Sequence, residues 1–281
     1  YYERHYGPNR ACLTIVGAID KRRTRRRIEQ LFGKKPRVAE RAVAIREPEP
    51  SGERRVVLKT PHSVARMCIG FPTCKMGERD DYALDLLAHD LGNSKNSRLY
   101  RRLVVKDRLV TDVSVLNEVR QDPGGFFVLC ELHSSAAPEK VERAIREEIA
   151  AMIDEGVAAR DLRRIRTQIE SSFLFQDETV LDLAMKLARF EAGTPGGYRT
   201  LAEVLPTYAS IKKRELKQVA AKYFNFDRAT VAWALPAAPP AAAAPRGRPA
   251  AKKPAKEAAK KAAKKAAKKA AKKAKRSRRA S

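Results

Sequence analysis

The sequence predicts an α+β fold: a mostly antiparallel sheet backed by long helices, followed by a disordered basic tail. Three observations carry that expectation. Short β-leaning apolar runs are spread over the first 236 residues. Two long helical stripes follow one another between Pro138 and Phe173. The last 45 residues change character altogether, with seventeen Lys and Arg against a single acid.

The chain has 281 residues and a formal net charge of +26, of which the tail supplies +16 and the remainder +10. No stretch nears the ~18 consecutive apolar residues of a membrane-crossing helix. Four cysteines in this length do not make a disulfide framework. The chain opens on Tyr1, with no leader pattern after it, and reads as a cut end. Periplasmic and cytoplasmic locations are both left open.

Taken in order, Ala11–Ala18 (ACLTIVGA) reads as a strand, and Asp20 as the N-cap of a helix running to Gly33. The segment 47–52 (EPEPSG) is a polar, proline-rich connector. Arg54–Lys59 and Val64–Phe71 read as strands about a turn at Pro61. Arg79–Leu91 has Tyr82, Leu86, Leu87 and Leu91 at helical spacing. The segment 92–96 is a loop, and Ser97–Val105 a further helix. Leu109–Leu116 and Phe126–Leu132 read as strands joined through Asp122-Pro123-Gly124-Gly125. Pro138 opens a helix striped by Val141, Ile145, Ile149 and Met152 and stopped by Gly156. The next long helix carries Leu162, Ile165, Ile169 and Phe173, and helices follow at Val180–Phe190 and Ile211–Tyr223. Thr230–Leu235 closes the body as a strand.

The body shows no self-contained active site. None of His5, His62, His89 and His133 lies in a zinc-binding pair such as H-x-x-E-H. His62, Cys68 and Cys74 form the only loose cluster, and its spacing gives no reason for three ligands to converge. Cys12, Cys68 and Cys130 read as packed thiols in strands. Acids among arginines, as at Glu142-Arg143 and Glu147-Glu148, read as solvated helix faces.

Several segments together resemble one family. Tyr1-Tyr2 and Tyr6, with Pro8-Asn9 and Leu13 to Gly17, resemble a Tyr-rich stretch of the pitrilysin/insulinase-type zinc metallopeptidases. Arg98-Leu99-Tyr100-Arg101-Arg102-Leu103 resembles their S-R-L helix. Met152 to Val157 with Asp161-Leu162 resembles a helix junction of the family, and Glu215–Trp233 its closing helix and strand. The resemblance covers residues 1–236.

This resemblance implies that the family's H-x-x-E-H zinc site lies upstream of such a chain. Zinc then belongs to the complete protein, and no metal or catalytic residue carries over here. It also implies an Arg and a Tyr, seven residues apart, that hold the peptide substrate. Their matching positions are Val104 and Thr111, so both groups are replaced. The loop Gly92, Asn93, Ser94, Asn96, Ser97 and Arg98 would lie near the wall of a substrate chamber. Two readings stay open. In one, the chain is the C-terminal part of a zinc-bearing subunit, and a homologous second subunit supplies the Arg and Tyr. In the other, it is a non-catalytic structural homologue.

Residues 237–249 read as an extended Ala/Pro linker. From residue 250, Ala-Ala-Lys-Lys recurs every four residues, placing Lys260, Lys261, Lys264, Lys265, Lys268, Lys269, Lys272 and Lys273 in register. Four residues advance a helix by ~400°, so no fixed face forms and Lys–Lys repulsion opposes helix. The composition resembles linker-histone tails, and its expected partner is nucleic acid or another polyanion, bound through sequence-independent phosphate contacts.

Overall fold

In the computed structural model the described residues are 1–39, 48 and 50–237. The chain divides into two units, Tyr1–Ala237 and Ala238–Ser281. The second, which holds all eight tail lysines named above and the expected disorder, lies outside the described residues.

Five strands form one sheet: β1 (Arg54–Thr60), β2 (Arg66–Pro72), β3 (Val110–Glu118), β4 (Gly125–Leu132) and β5 (Thr230–Pro236), in the order β1-β5-β2-β4-β3. Three of the four pairings are antiparallel. The fourth, β1 with β5, is parallel, so the sheet is mixed. A parallel pair needs a long crossover, and here nearly the whole domain lies between its partners.

Alternation sets the two faces of the sheet. Met67, Ile69 and Phe71 of β2 are buried, as are Phe126, Val128, Cys130 and Leu132 of β4 and Val231 and Trp233 of β5. The helices are α1 (Tyr2–His5), α2 (Lys21–Phe32), α3 (Arg79–Leu91), α4 (Pro138–Glu155), α5 (Ala159–Phe175), α6 (Val180–Gly193), α7 (Leu201–Ser210) and α8 (Lys213–Tyr223). Leu84, Leu87 and Leu91 of α3, Ile145 and Ile149 of α4, Ile165 of α5 and Leu216 of α8 join the sheet residues in one core. Phe224 brings Phe71 and Phe126 into an aromatic cluster, with ring centroids 5.4 and 4.7 Å away.

Several expectations need correction. Residues 11–16 form no strand of this sheet; Leu13 and Ile15 are exposed and line a groove with Ile28, Leu31 and Phe32 of α2. An apolar, β-branched run favours a strand only where another strand accepts its backbone bonds. Cys12 accordingly lies exposed rather than packed in a strand. The segment after Ser97 is a π-helix, Tyr100–Lys106, instead of a regular α-helix. Glu142 is no solvated face: it is buried on α4, where Arg55 reaches its carboxylate at 2.6 Å and Arg146 at 2.8 Å. Burial raises the Glu142 carboxyl pKa, and these two guanidinium groups more than reverse that, leaving it below its usual range. Arg146 also reaches Glu53 at 2.6 Å and lies 4.0 Å over the Phe226 ring, so the cluster ties the edge strand β1 to α4. The periodicity of the sequence also predicts no helix at α7, which carries Pro206 in its interior.

Candidate functional site

The loop after α3 is built to hold its shape. A Cβ at Gly92 would meet the Val115 Cγ2 at 2.1 Å, so only glycine lets the loop pass so close to β3. Asn93 accepts the Val115 backbone N–H at 3.3 Å, closing part of the free edge of the sheet. Ser97 donates from its hydroxyl to the Ser94 carbonyl at 2.6 Å. Arg98 donates to Asp90 at 2.8 Å and to the Gly156 carbonyl at 2.7 Å. Gly156 has φ of +74°, a conformation glycine supplies at the end of α4. Arg98 thus clamps α3 to the α4–α5 junction.

Of the loop residues, Asn96 and Arg98 line an open cavity of about 600 Å³ with Arg101, Arg102, Lys106 and Glu148. Gly92, Asn93, Ser94 and Ser97 support the loop and do not line that cavity. Arg102 is engaged by Glu147 and Glu148, which leaves Arg101 and Lys106 as the exposed cations at the rim.

The two replaced positions sit close in sequence and differ in setting. Val104 belongs to the π-helix and packs partly buried against the core. Thr111 is the extra residue of a β-bulge: Val110 pairs with Leu132 and Asp112 with Glu131, leaving Thr111 without its own partner. Its side chain is exposed, and the hydroxyl donates to the Glu131 carbonyl at 3.3 Å. Three methyls and one committed hydroxyl offer neither a guanidinium nor a phenol to a peptide.

A second cavity, of about 540 Å³, has no counterpart among the sequence-based expectations. Asp81, Asp85 and His89 stand at i, i+4 and i+8 on α3 and all line it. The Asn117 amide donates to both carboxylates at 2.9 Å, Gly77 N–H to Asp81 at 2.9 Å, and the Tyr208 hydroxyl to Asp85 at 2.5 Å. Burial, with Asp85 beside it, pushes Asp81 up to about 7. Burial likewise raises Asp85 and lowers His89, whose Nδ1 is buried with no hydrogen-bond partner among the described residues. This arrangement can hold and exchange protons, but no activated nucleophile stands among these residues. The sequence does carry a signal for it: a polar stripe with helical spacing lies opposite the apolar stripe of the same helix.

Among the described residues, no group of three or more His, Cys, Asp and Glu side chains could hold a metal ion. His62 is exposed, whereas Cys74 is buried and pushed up to about 12 by burial and nearby carboxylates, far from a ligating thiolate. Among the described residues, His62, Cys68 and Cys74 do not make a zinc site.

Comparison with known proteins places this scaffold. Residues 1–169 match the family model described as the peptidase M16 inactive domain. The chain is 22% identical over 244 residues to a zinc protease, PqqE, of Helicobacter pylori, covering 84% of this chain and 54% of that protein. The crystal structure of a protease from Helicobacter pylori matches with a TM-score of 0.72 and 22% identity, over 79% of this chain and 54% of the other. A peptidase M16 inactive domain from Pseudomonas fluorescens matches with a TM-score of 0.69 and 16% identity, over 79% of this chain and 52% of the other. The chain therefore spans about half the length of these relatives.

Proposed function

The chain belongs to the peptidase M16 family, and from that premise we propose that it is the C-terminal, inactive domain of a zinc metallopeptidase subunit that degrades peptides or unfolded segments. The zinc of the complete protein lies in a part outside this chain. The domain contributes one wall of the substrate chamber, with the loop 92–98 beside it, and surface for contact with a homologous subunit. The single observation that supports this reading is the state of the two positions matched by resemblance to the family's Arg and Tyr. Val104 lies on a π-helix and Thr111 at a bulge, and they present hydrocarbon and a backbone-bonded hydroxyl. A chamber built on this domain needs its cation and phenol from elsewhere, and the partner subunit is their source.

The test is a gain of function. In the complete subunit, Val104→Arg combined with Thr111→Tyr should lessen the dependence of peptide turnover on added partner. Thr111→Tyr is tolerated because the position is exposed. A complete subunit already fully active alone would contradict the proposal, as would a double variant as partner-dependent as its parent.

One feature favours a second reading, a non-catalytic homologue that binds a polyanion: residues 252–279 hold fifteen cations and one acid, far more than solubility requires. Deleting residues 237–281 separates the two. Turnover that persists in the assembled complex after the deletion favours the peptidase role; loss of polyanion binding, with no turnover before or after the deletion, favours the binding role.

A further inference from the structure

Val204 and Tyr208 of α7 line the 540 Å³ cavity opposite the polar stripe of α3. This wall is weakly held. Val204 is the one buried residue of α7, whereas nine of the thirteen residues of α3 are buried. Pro206, inside the helix, has no N–H to give to the carbonyl four residues back. No side chain caps the helix at Thr200. Beyond the helix the chain is fixed again by Ile211, which is fully buried. A segment with little buried surface and missing backbone bonds is where a folded chain opens locally.

What ties α7 to α3 is a chain of hydrogen bonds. The Tyr208 hydroxyl donates to Asp85 at 2.5 Å, and its ring meets Tyr82 edge-on with centroids 5.1 Å apart. Arg79 adds an exposed bond to Ser210 at 3.2 Å. Asp85 stands one turn from Asp81, an unfavourable spacing when both are ionised, and the two share the neutral Asn117 amide of β3. The groups around the pair do not offset a second charge. On α3, Asp80 is paired with Lys222 at 2.6 Å, Glu78 precedes the helix as a further acid, and burial holds His89 towards its neutral form, with Arg164 of α5 near it. On α6, Lys186 is taken by Asp177 at 3.0 Å and by the Phe173 carbonyl at 2.9 Å, and Asp182 belongs to the capping box. Tyr82, Tyr208 and the Cys74 thiol are all raised, chiefly by burial, and stay neutral; Glu203 of α7 is exposed and negative. Arg189 of α6 lines the cavity and draws both carboxyls down from a distance, but makes no hydrogen bond to either among the described residues.

We infer that α7 is a pH-sensitive cover for this cavity, latched while the Asp81–Asp85 pair carries at most one negative charge and released when it carries two. Two carboxylates one turn apart, sharing one amide and bonded to no cation, gain repulsion that the closed site cannot relieve. Lifting α7 gives up one phenol bond and one ring contact, and lets water reach Asp85. Helix α3 cannot yield in its place, because Leu84, Leu87 and Leu91 lock its other side into the core. Asp81, at about 7 in the folded chain, loses its proton in the neutral range. The latched state binds that proton more tightly than an opened, hydrated state does. Opening therefore becomes more favourable as pH rises from about 4 to 7 and levels off above that. This inference stands independently of the peptidase reading.

The experiment is hydrogen exchange of the full 281-residue chain, read by mass spectrometry at pH 5 and pH 7.5, with labelling times scaled for intrinsic exchange. The amides of α7 should be less protected than those of α4 at both pH values, because α7 opens while the core stays closed. Their protection should fall at least ~10-fold from pH 5 to pH 7.5. Asp81→Asn keeps an acceptor for the Gly77 N–H and removes the titrating group, so it should abolish the fall. Asp85→Asn keeps an acceptor for Tyr208 and removes the second charge, so it should shrink the fall. Protection of α7 equal to that of α4 overturns the inference, since α7 would then open only when the whole domain unfolds. So does α7 protection that is the same at the two pH values in the wild type, or a fall as large in either folded variant as in the wild type. The wild-type comparison decides by itself if neither variant folds.

Discussion

Asp81 shows how a residue's role can stay hidden in a sequence. It is one of two adjacent aspartates at the start of α3 and looks like first-turn helix chemistry, yet it is buried and shares Asn117 with Asp85. Its folded pKa, about 7, lies above the ordinary carboxylate value, because burial and the Asp85 charge favour the neutral form. A raised folded pKa means the folded state binds the proton more tightly than the unfolded state. The resulting stabilisation is full below about pH 4 and is lost as pH rises towards 7. Stability should therefore decline across that window, and Asp81→Asn should flatten the decline, with a relative gain of about 1–3 kcal/mol at pH 8. Denaturant melts at pH 4.5 and pH 8 check this; equal pH dependence in variant and wild type would contradict it. Glu142 teaches the same lesson. Its neighbour Arg143 suggests a solvated face, but the partners that matter are Arg55, far along the chain, and Arg146 one turn on. Contact between residues 87 positions apart has no local signal.

At the scale of elements, the long amphipathic helices are legible because burial repeats at helical spacing. Ile145 of α4 is fully buried and Ile169 of α5 nearly so, and both belong to the one core. Ile145→Asp or Ile169→Asp should each cost about 3 kcal/mol or more, since an unpaired carboxylate replaces packed hydrocarbon. A shift of only a few degrees in thermal unfolding would contradict the core described here. The strands β2, β3, β4 and β5 are readable for a similar reason, and the glycine-rich turn at 122–125 joins β3 to β4 as a hairpin. Residues 11–18 mislead because β-propensity records a side chain's fit to a pleated surface, not the presence of a strand to pair with. The parallel β1–β5 pairing is equally out of reach. It joins the first and last strands of the sheet, and turn chemistry speaks only for neighbours in sequence. The π-helix at Tyr100–Lys106 differs from an α-helix by one residue of winding, which apolar spacing over seven residues does not resolve.

For the molecule as a whole, the division between body and tail follows from composition, and the tail's behaviour follows from charge. A peptide of residues 250–281 should gain helical circular dichroism when duplex DNA is added, because phosphate relieves the Lys–Lys repulsion that opposes helix. With six to ten phosphate contacts, its affinity should drop ~10³–10⁵-fold between 50 and 200 mM salt. No change in dichroism, or an affinity indifferent to salt, would contradict this. The candidate chamber residues are legible only in part. The sequence locates Val104, Thr111 and the loop, but not the bulge that turns Thr111 outward or the clamp that engages Arg98. The central claim is that this domain shapes a peptidase without performing the chemistry. The most direct measurement incubates the isolated 281-residue chain with zinc, removes free metal, and reads both bound zinc by elemental analysis and turnover of a quenched fluorescent peptide. The account predicts less than a tenth of a zinc per chain and no turnover above buffer. One tightly held zinc per chain, or steady hydrolysis, would contradict it.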